Sequence, residues 1–327
     1  MVFTRWPAAC ALLVLLAGCS TTDPAVPGHD KSPAANARPS GQSSKVQKVI
    51  DLGGGQAYGL AVDKDAVWAI SYDAGSVSRI DPATGTVTFT TRPGPATATV
   101  LAGDDGLWVA GLGDNASIYR LDPASGRVLT TVPGGDLCCD LTVGAGALWT
   151  VDAKGSLIRV ELASGQVTKR IPVTIDRNTH TNAIYAGGAL WVSSDPTKLF
   201  RVDPVSGAST AFDVGGGVPF LARDGLVWGA APTSLWAVDE KTGALVRRVP
   251  LADSMEVLSL ELGYGAIWVG IRHPGRIGAV LRLDATTGKV VDEVRDIEIP
   301  ARIAAGFGSI WVTDSGSSKL YRLSSST

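Results

Sequence analysis

Seven tryptophans recur along the chain at intervals of 37 to 43 residues, and this period restricts the possible folds more than any other feature. They are Trp68, Trp108, Trp149, Trp191, Trp228, Trp268 and Trp311. A period of about 40 to 45 residues is typical of an array in which one supersecondary unit is used repeatedly. Each unit buries its apolar face against its neighbours, so the repeats are expected to fold together as one body.

Each repeat contains the elements of a small antiparallel sheet. An apolar stretch such as "YGLAV" leads through a Gly or Asp pair into the tryptophan phrase "WVA" or "WVS". A polar gap, a run such as "VSRIDP", a glycine turn and a last stretch such as "TVTFTT" follow. The 39 glycines and the low charged fraction of 18% suit many short strands joined by tight turns. The sequence therefore predicts an all-β, seven-bladed β-propeller of four-stranded blades.

The two ends of the repeat region predict how the ring closes. The seventh repeat stops at "KLYRLSSST", before its fourth strand. The stretch at 45–52, "KVQKVIDL", resembles the fourth strands "QVTKRIPV" and "KVVDEVRD" of other repeats. We therefore expect the N-terminal strand to complete the last blade, in a propeller domain over 45–327.

The N-terminus reads as a targeting segment. Arg5 precedes an apolar stretch at 8–16 that is too short to span a bilayer. The following Leu16-Ala17-Gly18-Cys19 resembles the lipobox of bacterial lipoproteins. This resemblance implies a signal peptide over 1–18, acylation of Cys19 and a membrane anchor facing the extracytoplasmic side. An ordinary secretory signal is the alternative. Residues 19–44, rich in Pro, Ser, Ala and Gly, are predicted to be a disordered tether.

Several recurring residues have structural explanations. The tryptophans share one phase of the repeat, so we expect them in the core. The residues eight positions earlier are apolar and predicted to pack between blades; they are Leu60, Val100, Leu141, Ala183, Phe220, Leu260 and Ile303. Six arginines are predicted to form a solvated ladder of weak surface ion pairs; they are Arg79, Arg120, Arg159, Arg201, Arg282 and Arg322. Phrases such as "DPATG" predict turns.

A polar position interrupts this regularity. The connection into the first strand and the loop between the second and third strands share one rim, and the glycine turns lie on the other. The residue nine positions before each tryptophan differs from repeat to repeat and is mostly polar. We expect this position at the channel mouth, on the first rim. A concave polar mouth predicts a binding site. The ligand-binding candidates are Tyr58, Thr99, Asp140, Asn182, Ser259, Arg272 and Arg302. Merely solvated loop residues are the alternative.

Charge and cysteine content restrict partners and chemistry. A formal net charge of -2 disfavours nucleic-acid binding, and we expect a monomer. Cys138 and Cys139 are adjacent, so in an oxidising compartment they form a vicinal disulfide, remain thiols or pair between chains.

The phrases "GAIWVG", "GSIWVTDSGSSKLYRL" and "VSRIDPATGTV" resemble the repeats of the streptogramin lyase (virginiamycin B lyase) group and related envelope propellers. The resemblance implies a magnesium-assisted elimination that opens a cyclic depsipeptide ester, with histidines and a glutamate on the channel face. The family phrase W-F-T-E is replaced here by "WVTD", which ends at Asp314. The candidates for such chemistry are His180, His273 and Glu256.

Two hypotheses follow from these features. The first is a non-catalytic, lipid-anchored module that binds a peptide, glycan or envelope protein without a cofactor. The alternative is an envelope lyase or hydrolase that uses His180 or His273 as base and rim carboxylates for magnesium.

Overall fold

The protein is an all-β, seven-bladed β-propeller. The computed structural model describes residues 46–137, 140–152, 154–173, 182–193, 197–251, 255–272, 277–295 and 297–325, with the backbone alone at 113–115 and 134–137. Twenty-eight strands form seven four-stranded antiparallel sheets, and the described ranges contain no helix. The fold class predicted from the tryptophan period is confirmed. The residues that the structure describes include no helix long and apolar enough to cross a membrane.

Each blade consists of four strands consecutive in the chain, except the last. Blades I and II contain β2 (Ala57–Val62), β3 (Val67–Ser71), β4 (Ser76–Asp81), β5 (Thr86–Thr91), β6 (Thr97–Gly103), β7 (Gly106–Gly111), β8 (Gly113–Leu121) and β9 (Val128–Leu137). Blades III and IV contain β10 (Thr142–Gly144), β11 (Ala147–Val151), β12 (Ser156–Glu161), β13 (Val167–Pro172), β14 (Ala183–Ala186), β15 (Ala189–Ser193), β16 (Lys198–Val202) and β17 (Ser209–Asp213).

The remaining blades complete the ring. Blades V and VI contain β18 (Val218–Arg223), β19 (Leu226–Ala231), β20 (Ser234–Asp239), β21 (Leu245–Pro250), β22 (Glu256–Gly263), β23 (Ala266–Arg272), β24 (Ala279–Asp284) and β25 (Val290–Val294). Blade VII contains β26 (Pro300–Gly306), β27 (Ser309–Asp314), β28 (Lys319–Ser324) and the N-terminal β1 (Val46–Asp51).

The N-terminal strand closes the ring as predicted. β1 pairs antiparallel with β28, from Val46 opposite Leu323 to Asp51 opposite Lys319. Ile50 is 5% exposed and packs in one cluster with Trp311 of the same blade. Blade VII therefore has neither a missing strand nor an unpaired edge on β28.

Turn chemistry defines one rim of the ring. The Asp81 carboxylate accepts backbone N–H hydrogen bonds from Ala83 at 2.9 Å and Thr84 at 2.7 Å. Gly85, with φ of 63°, donates to the Asp81 carbonyl at 2.7 Å. The hydrogen bonds from Thr84, the largest cause, hold the pKa of Asp81 below its ordinary value. We call this side, which carries the Asp-to-Gly turns and the hairpins between first and second strands, the turn rim, and the opposite side the mouth rim.

The tryptophans are core residues, and the arginines lie beside them. Six of the seven tryptophans are 0% exposed, and Trp228 is 4% exposed. Four of the arginines predicted to form a ladder of surface ion pairs have another contact, which the sequence did not predict: their guanidinium groups stack over the tryptophan rings at 5.3 to 5.9 Å from the centroid. These are Arg79, Arg120, Arg282 and Arg322. Cation–π contacts are strongest where water is excluded, and the arginine stems are themselves apolar. The four arginines therefore cover the tryptophan rings and add to the packing of each blade. Arg159 does form an ion pair, with Glu161.

In blade V the arginine that covers the tryptophan comes from a different strand. Ala237 is the third-strand residue opposite Trp228, where other blades have arginine. Arg247, from β21, covers the Trp228 ring at 5.4 Å from its centroid. The fourth strand thus supplies the cation that the third strand lacks. A second buried indole, Trp236, packs opposite Gly229, where a Cβ would overlap the ring.

Candidate functional site at the channel mouth

The first strands of the blades and the residues just before them line a central cavity of about 260 Å³. It brings together five of the seven ligand-binding candidates, namely Thr99, Asp140, Asn182, Ser259 and Arg302. The apolar positions one residue later, from Leu60 to Ile303, line the same cavity. The variable polar positions therefore lie at the channel, as predicted, and the apolar positions, which were predicted to pack between blades, also contribute to the cavity wall.

Strand bulges direct the polar side chains. The pairing of first and second strands shifts register between Thr97 and Thr99, and again between Pro300 and Arg302. Blade VI has the same shift before Ser259. A bulge inserts a residue and turns the next side chain relative to the regular pleat. These irregularities explain why the position nine residues before the tryptophan faces the cavity in these blades.

An ion pair spans the channel between blades III and VII. Nη2 of Arg302 donates hydrogen bonds to both carboxylate oxygens of Asp140, at 3.0 and 3.1 Å. Thr99 of blade II donates from Oγ1 to Asp140 Oδ1 at 3.2 Å. The side chains of Arg302 and Asp140 are 26% and 28% exposed. The pair is thus partly desolvated, and both of its members still reach solvent.

Tyr58 completes this cluster from blade I. The Arg302 guanidinium lies 4.9 Å from the Tyr58 ring centroid, and the Tyr72 ring lies 6.4 Å from the Tyr58 ring. Burial alone would lower the pKa of Arg302, but the Asp140 charge, the Tyr58 phenol group and the hydrogen bonds that the guanidinium makes to both side chains outweigh it and raise this pKa. Arg302 is consequently a permanent cation held between a carboxylate and an aromatic face.

Two other predicted site residues connect neighbouring blades. Nδ2 of Asn182 donates to the Pro219 carbonyl at 3.2 Å. Oγ of Ser259 donates to the Pro300 carbonyl at 2.9 Å, and Ser259 is only 2% exposed. Both contacts satisfy carbonyl groups of the next blade's first strand. Ser259 is therefore a structural contact of the cavity wall, while the Asn182 side chain lies at its surface.

Glu256 and Arg272 lie apart from the residues that line the cavity. They face each other across β22 and β23, where Nε and Nη2 of Arg272 donate to Glu256 Oε2 at 2.9 and 2.5 Å. Their side chains are 47% and 42% exposed. In this exposed pair on the mouth rim, Arg272 neutralises the carboxylate of Glu256, the glutamate that was a candidate for acid–base chemistry.

The other predicted residues fall outside the described ranges. These are the catalytic candidates His180 and His273, the adjacent Cys138 and Cys139, and the acylation candidate Cys19. Their roles stay predictions. Within the described ranges, no group of three or more His, Cys, Asp or Glu side chains is placed to hold a metal ion.

Glu261 is a cavity residue that the sequence reasoning missed. Its side chain is 16% exposed and lies in the wall, two residues beyond Ser259 toward the turn rim. Burial raises its pKa from 4.5 to about 7, although the Arg223 charge and the backbone N–H groups of Leu262 and Ala305 lower it. Arg223 Nη2 lies 3.3 Å from the Glu261 carboxylate. Aligning the repeats would have revealed it, since no other blade has a charged residue seven positions before the tryptophan.

Comparison with known proteins adds no assignment, because neither the protein-family models nor the curated proteins contain a match to this chain. The fold and the cavity therefore define the class, a β-propeller with a polar channel mouth.

Proposed function

We propose that the protein is a lipid-anchored β-propeller of the cell envelope that binds a ligand at its channel mouth. The ion pair between Asp140 and Arg302 is the observation that carries the proposal. It places a fixed cation and anion inside a concave cavity where both remain partly exposed. Propellers commonly act as binding modules, which supports a non-catalytic role.

The chemistry of the pair favours a neutral polar ligand. The charges of Arg302 and Asp140 compensate each other, so the mouth does not select strongly for either sign of charge. A guanidinium has five N–H donors and a carboxylate about four acceptor positions, more than the hydrogen bonds already made. A group that both donates and accepts, such as a peptide amide or a sugar hydroxyl, suits this combination. We therefore propose a peptide or a glycan, free or carried by an envelope protein.

The direction of β1 determines where the proposed anchor would be attached to the propeller. Val46 starts β1 at the turn rim and Asp51 ends it toward the mouth rim. An acylated Cys19 would therefore connect through the tether to the turn rim. Attachment at the turn rim would leave the mouth rim, at the opposite end of the channel, free for an envelope ligand to enter.

Ligand capture by the full chain on peptide and glycan arrays tests the binding role. Asp140→Ala, Arg302→Ala and Asn182→Ala should each weaken capture of the same array members. The matched control is Glu256→Ala, which removes a carboxylate from the mouth rim outside the cavity. Capture unchanged in all three cavity variants would overturn the proposed site.

Cell fractionation tests the anchor separately. The native chain should label with a fatty-acid analogue and sediment with membranes. Cys19→Ala should remove the label and shift the protein to the soluble fraction. A Cys19→Ala protein that still sediments as the native chain does would refute lipid anchoring while leaving the binding role intact.

A further inference from the structure

Two aromatic side chains lie exposed at neighbouring hairpin tips of the turn rim. Tyr264 joins β22 to β23 in blade VI, and Phe307 joins β26 to β27 in blade VII. They are 36% and 40% exposed. The hairpins are adjacent, since a Cβ on Gly263 would lie 2.6 Å from Cβ of Ala305. The rim thus presents two large aromatic groups on adjacent blades.

The turn geometry does not explain these aromatics. Tyr264 and Phe307 have φ of 53° and 54°, and a glycine with positive φ follows each. Such two-residue turns favour Asn, Asp or Gly, because a bulky side chain is strained in the left-handed region. Blades III, IV and V have Ala145, Gly187 and Asp224 at this place. Each aromatic therefore adds backbone strain to its turn, and the strain is not offset by full burial of the ring.

The chain from the proposed anchor reaches the same place. Val46 pairs with Leu323 at the turn-rim end of blade VII. Ser309, two residues after Phe307, donates from Oγ to Oε1 of Gln47 at 3.4 Å. An anchor at Cys19 would therefore be connected to the blade that carries Phe307, and a fully extended chain of this length reaches about 90 Å.

We propose that Tyr264 and Phe307 form a membrane-contact surface that rests in the headgroup region of the bilayer. This inference rests on the lipid anchor of the proposed function, which would attach the chain at the turn rim and raise the effective concentration of that rim at the membrane. Aromatic side chains favour the membrane interface. A single acyl chain gives marginal binding and a second signal strengthens it, so the pair would add attachment and orient the propeller with its mouth outward.

The test uses the full chain with Cys19→Ser, so that binding without acyl chains can be measured. Flotation with vesicles of phosphatidylethanolamine and phosphatidylglycerol should recover this protein weakly. Adding Tyr264→Asn and Phe307→Asn should reduce the bound fraction by about tenfold. The changed protein should stay folded, because asparagine tolerates positive φ at a turn, and a thermal melt checks this.

Ala145→Asn is the matched control, since it changes the equivalent tip of blade III. It should leave vesicle binding unchanged. If the Asn variants fold and bind vesicles as well as the Cys19→Ser parent does, or if the parent does not bind at all, the membrane-contact surface is overturned. Continued acylation of the native chain in that case would leave the anchor standing. Capture of the parent by an envelope protein through these aromatics, without vesicle binding, would also overturn the lipid as the occupant.

Discussion

Arg302 and Asp140 are 162 residues apart in the chain and meet across the central channel, where one nitrogen of the guanidinium donates to both carboxylate oxygens. Four blades contribute to this cluster, because Thr99 donates to Asp140 and the Tyr58 ring lies beside Arg302. The contact links blade III to blade VII through the interior of the ring. It therefore places a pair of opposite charges in the cavity and connects two blades that are not neighbours in the ring.

The stability losses from removing Asp140 and Arg302 should not add, because removing one partner leaves the other without its counter-charge. In Asp140→Ala, Arg302 keeps its charge in a site that is only 26% exposed, so we expect a loss of about 1 to 3 kcal/mol. The double variant Asp140→Ala with Arg302→Met should lose less than the sum of the two single variants. Urea unfolding of the three proteins measures the coupling. Strictly additive losses would show that the pair is not coupled in solution.

Glu261 should make stability fall as pH rises. Its folded-state pKa of about 7 exceeds the ordinary value of 4.5, so the folded protein holds this proton more tightly than the unfolded chain does. The stabilisation is full below about pH 4.5 and is lost as pH rises through 7. Glu261→Gln should remove this loss, of order 1 to 3 kcal/mol. Unfolding at pH 5, 6, 7 and 8 checks the slope, with Glu256→Gln as the exposed control; identical slopes in all three proteins would contradict the assignment.

Ile50 should be essential to ring closure. It is 5% exposed in the cluster that contains Trp311, so Ile50→Ala should cost about 2 to 4 kcal/mol. Val49, the preceding residue of β1, is 46% exposed, and Val49→Ala should cost less than about 1 kcal/mol. Chemical denaturation compares the two. Equal losses would indicate that β1 does not pack on the blade as described.

Gly229 should not tolerate a side chain. A Cβ there would overlap both the Trp236 ring and the Val218 carbonyl oxygen. Gly229→Ala should therefore destabilise the protein by about 3 kcal/mol or more, and Trp236→Leu in the same chain should restore part of it. Gly103→Ala is the control, because no atom lies within 4 Å of its added Cβ. Thermal unfolding that ranks the two glycine variants equally would contradict this packing.

The repeats made the fold and the lining of the cavity predictable, because seven copies of one unit provide an internal alignment. That alignment alone predicts that Thr99, Asp140 and Arg302 lie at one level of the channel. It carried no information on which of them pair, since a contact across the ring depends on the diameter of the channel and on side-chain conformation. The stacking of Arg247 on Trp228 could not be predicted from the alignment either, because in that blade the cation comes from the fourth strand instead of the third.

The pairing of β1 with β28 also sets an order of assembly. Asp51 accepts a hydrogen bond from Ser318, 267 residues later, so β1, which is synthesised before the other described strands, stays without its partner until β28 has been made. Contacts so distant in sequence are slow to form, and until then the edge of blade VII and the apolar face of β1 stay open to other chains. Synthesis can thus finish six blades one after another, but the seventh forms only when the whole chain is present.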